Sequence, residues 1–536
     1  MRSFASQATL YGVMFGVGER QSAGGTEPAG NAMALSEQEN GAAAPATTVR
    51  WLRPLLTERA RPAFVRDHPA GWRLAVGTVC FGAFMGQLDA SVVTLAYPAL
   101  RSGFHATLAG VEWVSLAYLL ALAALLVPVG RLSDAYGRKL MYLYGFLVFT
   151  GASAACGLAT GLAMLIVMRT LQAVGAALLQ ANSVALVTTS APPGRMRAAL
   201  GMQAGAQALG LALGPTLGGI LVATVGWRWI FLINVPIGVL ALPAGHYLLP
   251  RTRTHAPTGR FDYPGLGFSA AASTLLLLGI SAASGLNLPW WGIGSCFAAA
   301  LAAGFAFTRR IRRARNPLVD PVLLRSRQIS TGLAGALGGY LVLFGPLVLI
   351  PVVLTARGAS LTSAGLASSA LPVGFAAAAL AGERFLPADL SDRSRGLGGV
   401  GLACTGLIAL AALPPDLLVI PPALALTGLG LGIFMPANNA LVMSAIPTTA
   451  AGTGGGLVNM TRAMGTALGV ALVTLALHVA GSSDRLLGER LAGGLLALAA
   501  AATCGVTALQ PRVSAVLAER KGVPRSAAAS GRASGR

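Results

Sequence analysis

Two ionisable side chains lie inside long apolar stretches of the sequence, where a charge is costly. Asp89 falls in the apolar run 74–97 and Arg169 in the run 161–189. A charged side chain near the centre of a membrane helix costs about 2.5–3.5 kcal/mol on insertion scales, so we expect Asp89 to face an interior cavity. A carboxylate there can gain and lose a proton, which makes Asp89 a candidate for proton exchange. The alternative is a carboxylate held by hydrogen bonds for structure alone.

A second candidate is the charged stretch GRLSDAYGRK at 130–139, which separates two apolar runs. Asp134 precedes Arg138 by four residues, so the two side chains can pair. Gly130 and Gly137 permit a tight reversal of the chain at the membrane face. An anchor that keeps positive charge on one side of a membrane would explain Arg138 and Lys139. It would not explain Asp134 or the glycine spacing.

The composition is typical of a membrane protein. Of the 536 residues, 54% are hydrophobic and 11% are charged, and the mean hydropathy is +0.68; soluble domains carry about 25% charged residues. The net charge of +21 would suggest nucleic acid in a soluble protein. Here the arginines lie mostly in short segments between apolar runs, which indicates membrane topology and no nucleic-acid partner. The cysteines and histidines are dispersed, so we expect no metal site.

The apolar runs predict about fourteen membrane-spanning helices, because each is close to the roughly 20 residues that a span needs. Arginines concentrate in alternate connections, from the segment 50–73 to the tail after residue 511. The positive-inside rule then places both termini in the cytoplasm of a multi-pass protein of the cytoplasmic membrane. The predicted spans are 74–97, 111–129, 140–158, 161–189, 198–222, 227–249, 263–285, 290–308, 330–354, 362–385, 397–413, 417–437, 454–480 and 490–509.

The chain divides into five predicted parts. The basic connection RRIRRARNPLVDPVLLRSR at 309–327 separates an early from a late group of spans, as in transporters built from two similar halves. The predicted parts are a disordered cytoplasmic arm (1–70), a six-helix bundle (71–250), a linker with two extra transmembrane helices and a basic loop (251–328), a second six-helix bundle (329–510) and a disordered cytoplasmic tail (511–536).

The stretch GLALGPTLGG at 210–219 is the most specific motif in the sequence. Its proline bends a helix by removing a backbone donor, and its glycines provide a groove for close helix packing. With the run WRWIFLINVPIG that follows, it resembles the major facilitator superfamily, in the fourteen-helix drug:proton antiporter branch, where this element marks exporters. A generic helix-packing face is the alternative, but it does not explain the proline. The matching positions are Gly210, Gly214, Pro215, Gly218 and Gly219.

Three further stretches of the first half carry the same resemblance: LDASVVTLAYPAL (88–100), which contains Asp89, the charged stretch 130–139, and RTLQAVGAAL (169–178). The stretch 130–139 would be a conformational latch between the two halves, formed by Gly130, Asp134, Gly137, Arg138 and Lys139. Arg169 would act in proton transfer with a carboxylate that the sequence does not identify, or else line a wet cavity. In the second half only LSDR (390–393) remains of the repeated latch motif. The candidates to line a central cavity are Ser91, Thr94, Gln172, Asn459 and Arg462.

The resemblance implies an all-α polytopic fold with two six-helix bundles and two inserted linker helices. The implied function is export of hydrophobic drugs or antibiotics in exchange for protons by alternating access. Aromatic and methionine side chains would contact the cargo, and the proton gradient would supply energy without a cofactor. We expect the partners to be the lipid bilayer, a small hydrophobic substrate and protons, with the chain a monomer. A proton-coupled importer or facilitator of a metabolite, and a non-transporting membrane scaffold, are the alternatives. The sequence has no catalytic motif that favours an enzyme.

Overall fold

The computed structural model describes residues 58–66, 68–192, 194–252, 261–283, 289–387, 390–413, 418–479 and 485–511. Over these ranges the regular structure is helical, without a β-strand. The predicted arm up to residue 57, and the predicted tail beyond residue 511, lie outside the described residues.

Long helices account for most of the described chain, and we number them α1 to α14. They are α1 Gly71–Val92, α2 Leu108–Tyr136, α3 Arg138–Gly157, α4 Leu162–Ser190, α5 Met196–Thr224, α6 Asn234–Leu248, α7 Tyr263–Ala283, α8 Trp290–Arg313, α9 Arg327–Ala356, α10 Leu361–Phe385, α11 Asp392–Ala412, α12 Ile420–Ala445, α13 Ala451–Val479 and α14 Arg485–Ala508.

The helices are long and apolar enough to confirm the predicted all-α membrane fold. In the described ranges thirteen helical segments could each cross a membrane, and the bent pair Met196–Gly214 and Thr216–Thr224 of α5 makes up to fourteen. Helices suit this environment because all their backbone hydrogen bonds close within the segment. With fourteen alternating spans, α1 begins and α14 ends on the same side, which we call the terminal side.

The structure corrects the prediction that two glycines reverse the chain at 130–139. Gly130 lies inside α2, which continues to Tyr136, and the reversal occurs at Gly137 alone, with φ 106°. The sequence estimate ended the span at residue 129 because hydropathy reports only the apolar part of a helix. The polar last turns of α2 extend beyond that part and are stabilised by tertiary contacts.

Each group of six helices has an apolar core. One core is formed largely by α1 to α4 and the second by α9 to α14, with α5 contributing Ala204 and Ala208 to the second. The first core also takes in Val442, Ala451 and Val458 from α12 and α13. The two groups are therefore packed together on the terminal side, where α12 ends and α13 begins.

The two linker helices differ in their surroundings. Helix α7 packs against α2 and α13, one from each group, and α8 packs against α7. Most of α8 is exposed, including Trp290, Leu301 and Phe305, as expected of a helix that faces lipid. The connection after α8 returns to the protein, because Leu318 and Val319 are buried against Val127 of α2 and Leu457 of α13.

The folded part of the chain begins before residue 71, inside the predicted arm. Ala63–Arg66 is a short helix, and the buried Glu58 accepts hydrogen bonds from the backbone and hydroxyl of Thr252 (2.6 and 2.8 Å). Arg61 Nε donates to the Leu248 carbonyl at 2.7 Å. Composition alone missed this segment because its order comes from contacts with the end of α6.

Candidate functional site

A buried ion pair joins the two charged residues of the apolar runs. Arg169 Nη1 on α4 lies 2.7 Å from Asp89 Oδ2 on α1, and both side chains are at most 1% exposed. The carboxylate that the sequence left open for Arg169 is therefore Asp89. Such a pair is stable only with close geometry and with its other hydrogen-bonding groups satisfied. Asp89 contacts Arg169 instead of lining the central cavity, contrary to the expectation that it faces the cavity directly.

Neutral side chains complete the hydrogen bonding of this pair. Gln172 Nε2 donates to Asp89 Oδ1 at 3.0 Å and to Ser153 Oγ at 2.7 Å, while its Oε1 accepts from Arg169 Nη1 at 2.6 Å. Asn234 Nδ2 of α6 donates to Asp89 Oδ1 at 3.3 Å. Gln172 thus belongs to this cluster and, contrary to prediction, does not line the cavity. Asn234 was not predicted, although it lies in the quoted run WRWIFLINVPIG.

An aromatic ring links the ion pair to the cavity. The Arg169 guanidinium lies 4.2 Å from the centre of the Tyr118 ring, a distance at which the ring quadrupole attracts a cation. Tyr118 also lines the cavity. A change in the position of Arg169 would therefore alter its contact with Tyr118 in the cavity wall.

The latch residue Asp134 connects α2 to the start of α13. Its carboxylate accepts hydrogen bonds from the backbone N–H of Gly452 and of Thr453 and from the Thr453 hydroxyl, each at 2.7 Å. These N–H groups are at the positive end of α13, where an anion is favoured. Arg138 pairs with Asp134 at 3.0 Å and donates to the Thr448 carbonyl.

The other latch candidates divide between two places. Gly130 lies where α2 crosses α13, and a β-carbon there would overlap the Gly452 carbonyl. Gly137 makes the turn. Lys139 is buried away from α13, and its Nζ donates to the carbonyls of Arg59 and Leu249, both at 2.8 Å. The structure therefore places Lys139 at the junction of the arm with α3 and not in the latch contacts.

The second half supplies a further contact that sequence reasoning left in doubt. Asp392, in the LSDR segment at the start of α11, pairs with Arg197 of α5 at 3.0 Å. Like the Asp134 contacts, this pair joins the two groups of helices on the terminal side. The weak repeat of the charged motif was the signal for it, but its partner could not be identified from sequence.

Gly210 and Gly214 of α5 face α1. A β-carbon at Gly210 would press on the Phe84 carbonyl, and one at Gly214 would overlap the Ser91 hydroxyl. The two segments of α5 on either side of Pro215 meet at an angle of 41°. Gly218 is buried, whereas Gly219 is exposed at the cavity. The motif therefore brings α5 close to the helix that carries Asp89.

A cavity of about 1030 Å³ lies between the two groups of helices. It is bordered by α1, α2, α4, α5, α7, α9, α10 and α13. Of the predicted lining residues, Ser91, Asn459 and Arg462 do line it, and the side chain of Thr94 lies outside the described part of the chain. Tyr118, Tyr340 and Phe344 supply aromatic surface, but none of the described lining residues is a methionine.

The cavity is closed towards the terminal side. Besides the Asp134 and Asp392 contacts, Asn459 Nδ2 of α13 donates to the Gln180 carbonyl of α4 at 2.8 Å. Away from that side the lining continues to Ile220, Pro351 and Leu366, near the opposite ends of their helices. This arrangement suits a transporter in a conformation closed on one side.

Comparison with known proteins agrees with this geometry. The chain is 32% identical over 421 residues to the tetracenomycin C resistance and export protein of Streptomyces glaucescens, covering 76% of each chain. It is 30% identical over 402 residues to the riboflavin transporter RibZ of Clostridioides difficile, covering 73% of this chain and 85% of that protein. The fold resembles that of the human organic anion transporter MFSD10, with a TM-score of 0.60 over 81% of this chain and 99% of that one, at 17% identity.

The family described as Major Facilitator Superfamily matches residues 79–470. That range contains the buried ion pair, the contacts of Asp134 with α13 and every described residue that lines the cavity. Its members of known structure and the relatives above are transporters and not enzymes. This multi-span membrane protein therefore belongs to the major facilitator superfamily of transporters.

Proposed function

We propose that the protein exports hydrophobic, drug-like compounds across the cytoplasmic membrane in exchange for protons. The observation that carries the proposal is the Asp89–Arg169 ion pair, buried one side chain away from the cavity. Asp89 is the one Asp or Glu on the described parts of α1 to α6 that is fully buried, with none of its surface exposed. The similarity to the tetracenomycin C resistance and export protein supports export as the direction of transport.

Protonation of Asp89 would change the contacts around it. A neutral carboxyl group attracts Arg169 less strongly, so the guanidinium would be free to move against Tyr118 and the cavity wall. On the same helix, Ser91 lies against Gly214 of α5 and its hydroxyl is 3.5 Å from the Gly210 carbonyl. Helix α5 in turn packs on α10 and α12 of the second group. Protonation of Asp89 would therefore affect the packing between the two groups of helices through α1 and α5.

The closure of the terminal side indicates where in the proposed transport cycle this conformation belongs. We place that side in the cytoplasm, because the basic connections lie there, so the structure corresponds to an outward-facing conformation. In that state cargo leaves as Asp89 takes a proton, and the latch opens. In the inward-facing state Asp89 releases the proton to the cytoplasm, Arg169 pairs with it again, and a new cargo molecule enters.

Substitution of Asp89 tests the proposal. Asp89→Asn keeps the shape of the side chain but removes the exchangeable proton, so we expect proton-driven efflux of a dye panel to fall at least 10-fold in cells, with normal membrane insertion. Arg309→Gln is a matched control, because it alters an exposed residue at the end of α8. Efflux by Asp89→Asn at the wild-type rate and with the same response to collapse of the proton gradient would contradict the proposal.

Uptake of a metabolite is the second candidate function, favoured by the similarity to the riboflavin transporter. The two candidates differ in what cells do with the compound. An exporter lowers accumulation of its cargo while the proton gradient is present, whereas an importer or facilitator raises or equilibrates it. Measurement of riboflavin and dye accumulation in the same cells therefore separates them.

A further inference from the structure

The cavity contains a buried positive charge that no carboxylate among the described lining residues matches. Arg462, near the middle of α13, lines the cavity and is 5% exposed. None of the described lining residues is an Asp or Glu, and Arg462 is the one Arg or Lys among them. The buried Asp89 carboxylate does not line the cavity and is already paired with Arg169. Arg462 therefore differs from Arg169, which has its counter-charge in the protein.

The contacts of Arg462 leave hydrogen-bonding capacity unused. Its Nη1 donates to the Asn459 side-chain oxygen at 3.1 Å, and its guanidinium carbon lies 5.3 Å from the centre of the Tyr340 ring. Its Nε is buried and has no hydrogen-bond partner in the part of the chain that the structure describes. A buried donor without an acceptor is destabilising, and a guanidinium stays charged. A ligand that brings an anionic oxygen would satisfy both the charge and the donor.

The surroundings of Arg462 indicate what else the ligand contains. Tyr340 stacks with Phe344, with ring centres 6.2 Å apart and planes 18° from parallel, so two nearly parallel aromatic rings lie on the side of the cavity that holds the guanidinium. Aromatic ligands stack on such surfaces. The cavity volume of about 1030 Å³ is at the upper end of the range for small-molecule sites, which leaves room for several fused rings.

We propose that the cargo is an acidic, multi-ring aromatic compound whose carboxylate or phenolate binds Arg462 while its rings pack on Tyr340 and Phe344. This inference rests on the proposed export function and narrows its substrate class. It distinguishes this protein from exporters of cationic dyes, which would need an unpaired carboxylate in the cavity. Asn459 acts as a positioning residue, because it holds one nitrogen of the guanidinium.

The test compares one ring system in two charge states. Anthraquinone-2-carboxylic acid and its uncharged methyl ester are offered to the purified protein, and binding is measured by equilibrium dialysis in detergent at neutral pH. We expect the wild type to bind the acid at least 10-fold more tightly than the ester, and Arg462→Gln to lose that preference. Arg309→Gln, which removes an exposed arginine, serves as the control and keeps the preference.

A second variant keeps Arg462 in place. Thr466 lies four residues further along α13 and also lines the cavity, so Thr466→Glu would supply a carboxylate that pairs with Arg462. We expect Thr466→Glu to lose preference for the acid as Arg462→Gln does. Equal binding of acid and ester by the wild type, or an undiminished preference in a folded Thr466→Glu, would overturn the inference.

Efflux of the same two compounds from vesicles separates this inference from the proposed function. Gradient-driven export of both acid and ester at equal rates would leave the exporter standing and refute recognition of the acid group. Preferential binding of the acid without export of either compound would support the anion site and refute the exporter.

Discussion

At the scale of single residues, the central feature is a charge pair that is enclosed by protein. Asp89 and Arg169 are both charged, both buried and 2.7 Å apart. Removing one partner of a buried pair costs about 3–5 kcal/mol, because the other charge is left without compensation. Replacing both with neutral groups of similar shape is far less costly. The pair therefore adds little to stability compared with neutral groups of similar shape, which favours a functional role for it.

This asymmetry predicts a pattern in stability measurements. We expect Arg169→Gln alone to lower the thermal unfolding temperature of the purified protein clearly, since it leaves the Asp89 carboxylate among apolar helices. The double variant Asp89→Asn and Arg169→Gln should regain most of that loss and yet fail to couple transport to protons. Recovery of proton-coupled transport in the double variant would show that the pair has only a structural role.

The sequence identified the participants of this pair but could not show how they were connected. Apolar runs that carry one Asp and one Arg marked both residues as exceptional. Their partnership spans eighty positions and depends on how α1 packs beside α4, which no local pattern contains. The sequence also could not identify Asn234 and Gln172 as donors to Asp89, because the packing of α4 and α6 sets their orientation.

At the scale of helices, the most consequential contact is that between α1 and α5. Gly214 leaves space for Ser91 on the helix that carries Asp89. Helix α5 also packs against α10 and α12 of the second group of helices. The pattern of small residues and one proline predicted a close and bent helix, and the structure shows both. Its packing partner could not be predicted, since a glycine groove fits any helix of suitable shape.

A methyl group at this contact is expected to impair transport. Gly214→Ala would force Ser91 away and separate α1 from α5, so we expect cargo efflux to fall at least 10-fold with the protein still inserted in the membrane. The control is Gly151→Ala on α3, since Gly151 is exposed and a β-carbon there meets no atom within 4 Å. Full activity in Gly214→Ala would show that close packing here is dispensable.

Helix number and approximate span positions followed from hydropathy, whereas the ends of several helices did not. Helix α2 continues through Asp134 to Tyr136, and α12 continues to Ala445, eight residues past the predicted end. These last turns are more polar or lie beyond the apolar run, so their helical state depends on contacts with neighbouring helices. The added turns of α2 carry Asp134, which explains why the geometry of its contacts was predicted less well than the composition of the motif.

At the scale of the whole molecule, the polar contacts described here close one side of a cavity between two groups of helices. Asp134 binds the start of α13 and Asp392 binds Arg197 of α5. The cavity, the ion pair beside it and Arg462 within it lie beyond that closed side. Under the proposed exchange of protons for cargo, alternating access would require these contacts to break in each cycle.

Proton-coupled export is tested most directly by measuring the proton flux that accompanies transport by the purified protein in sealed vesicles. A pH-sensitive dye inside the vesicles and a fluorescent cargo report both movements at once. We predict that movement of cargo in one direction drives a proportional movement of protons in the other, and that Asp89→Asn abolishes the proton signal. Sustained wild-type transport of cargo against its gradient with no movement of protons would contradict the account.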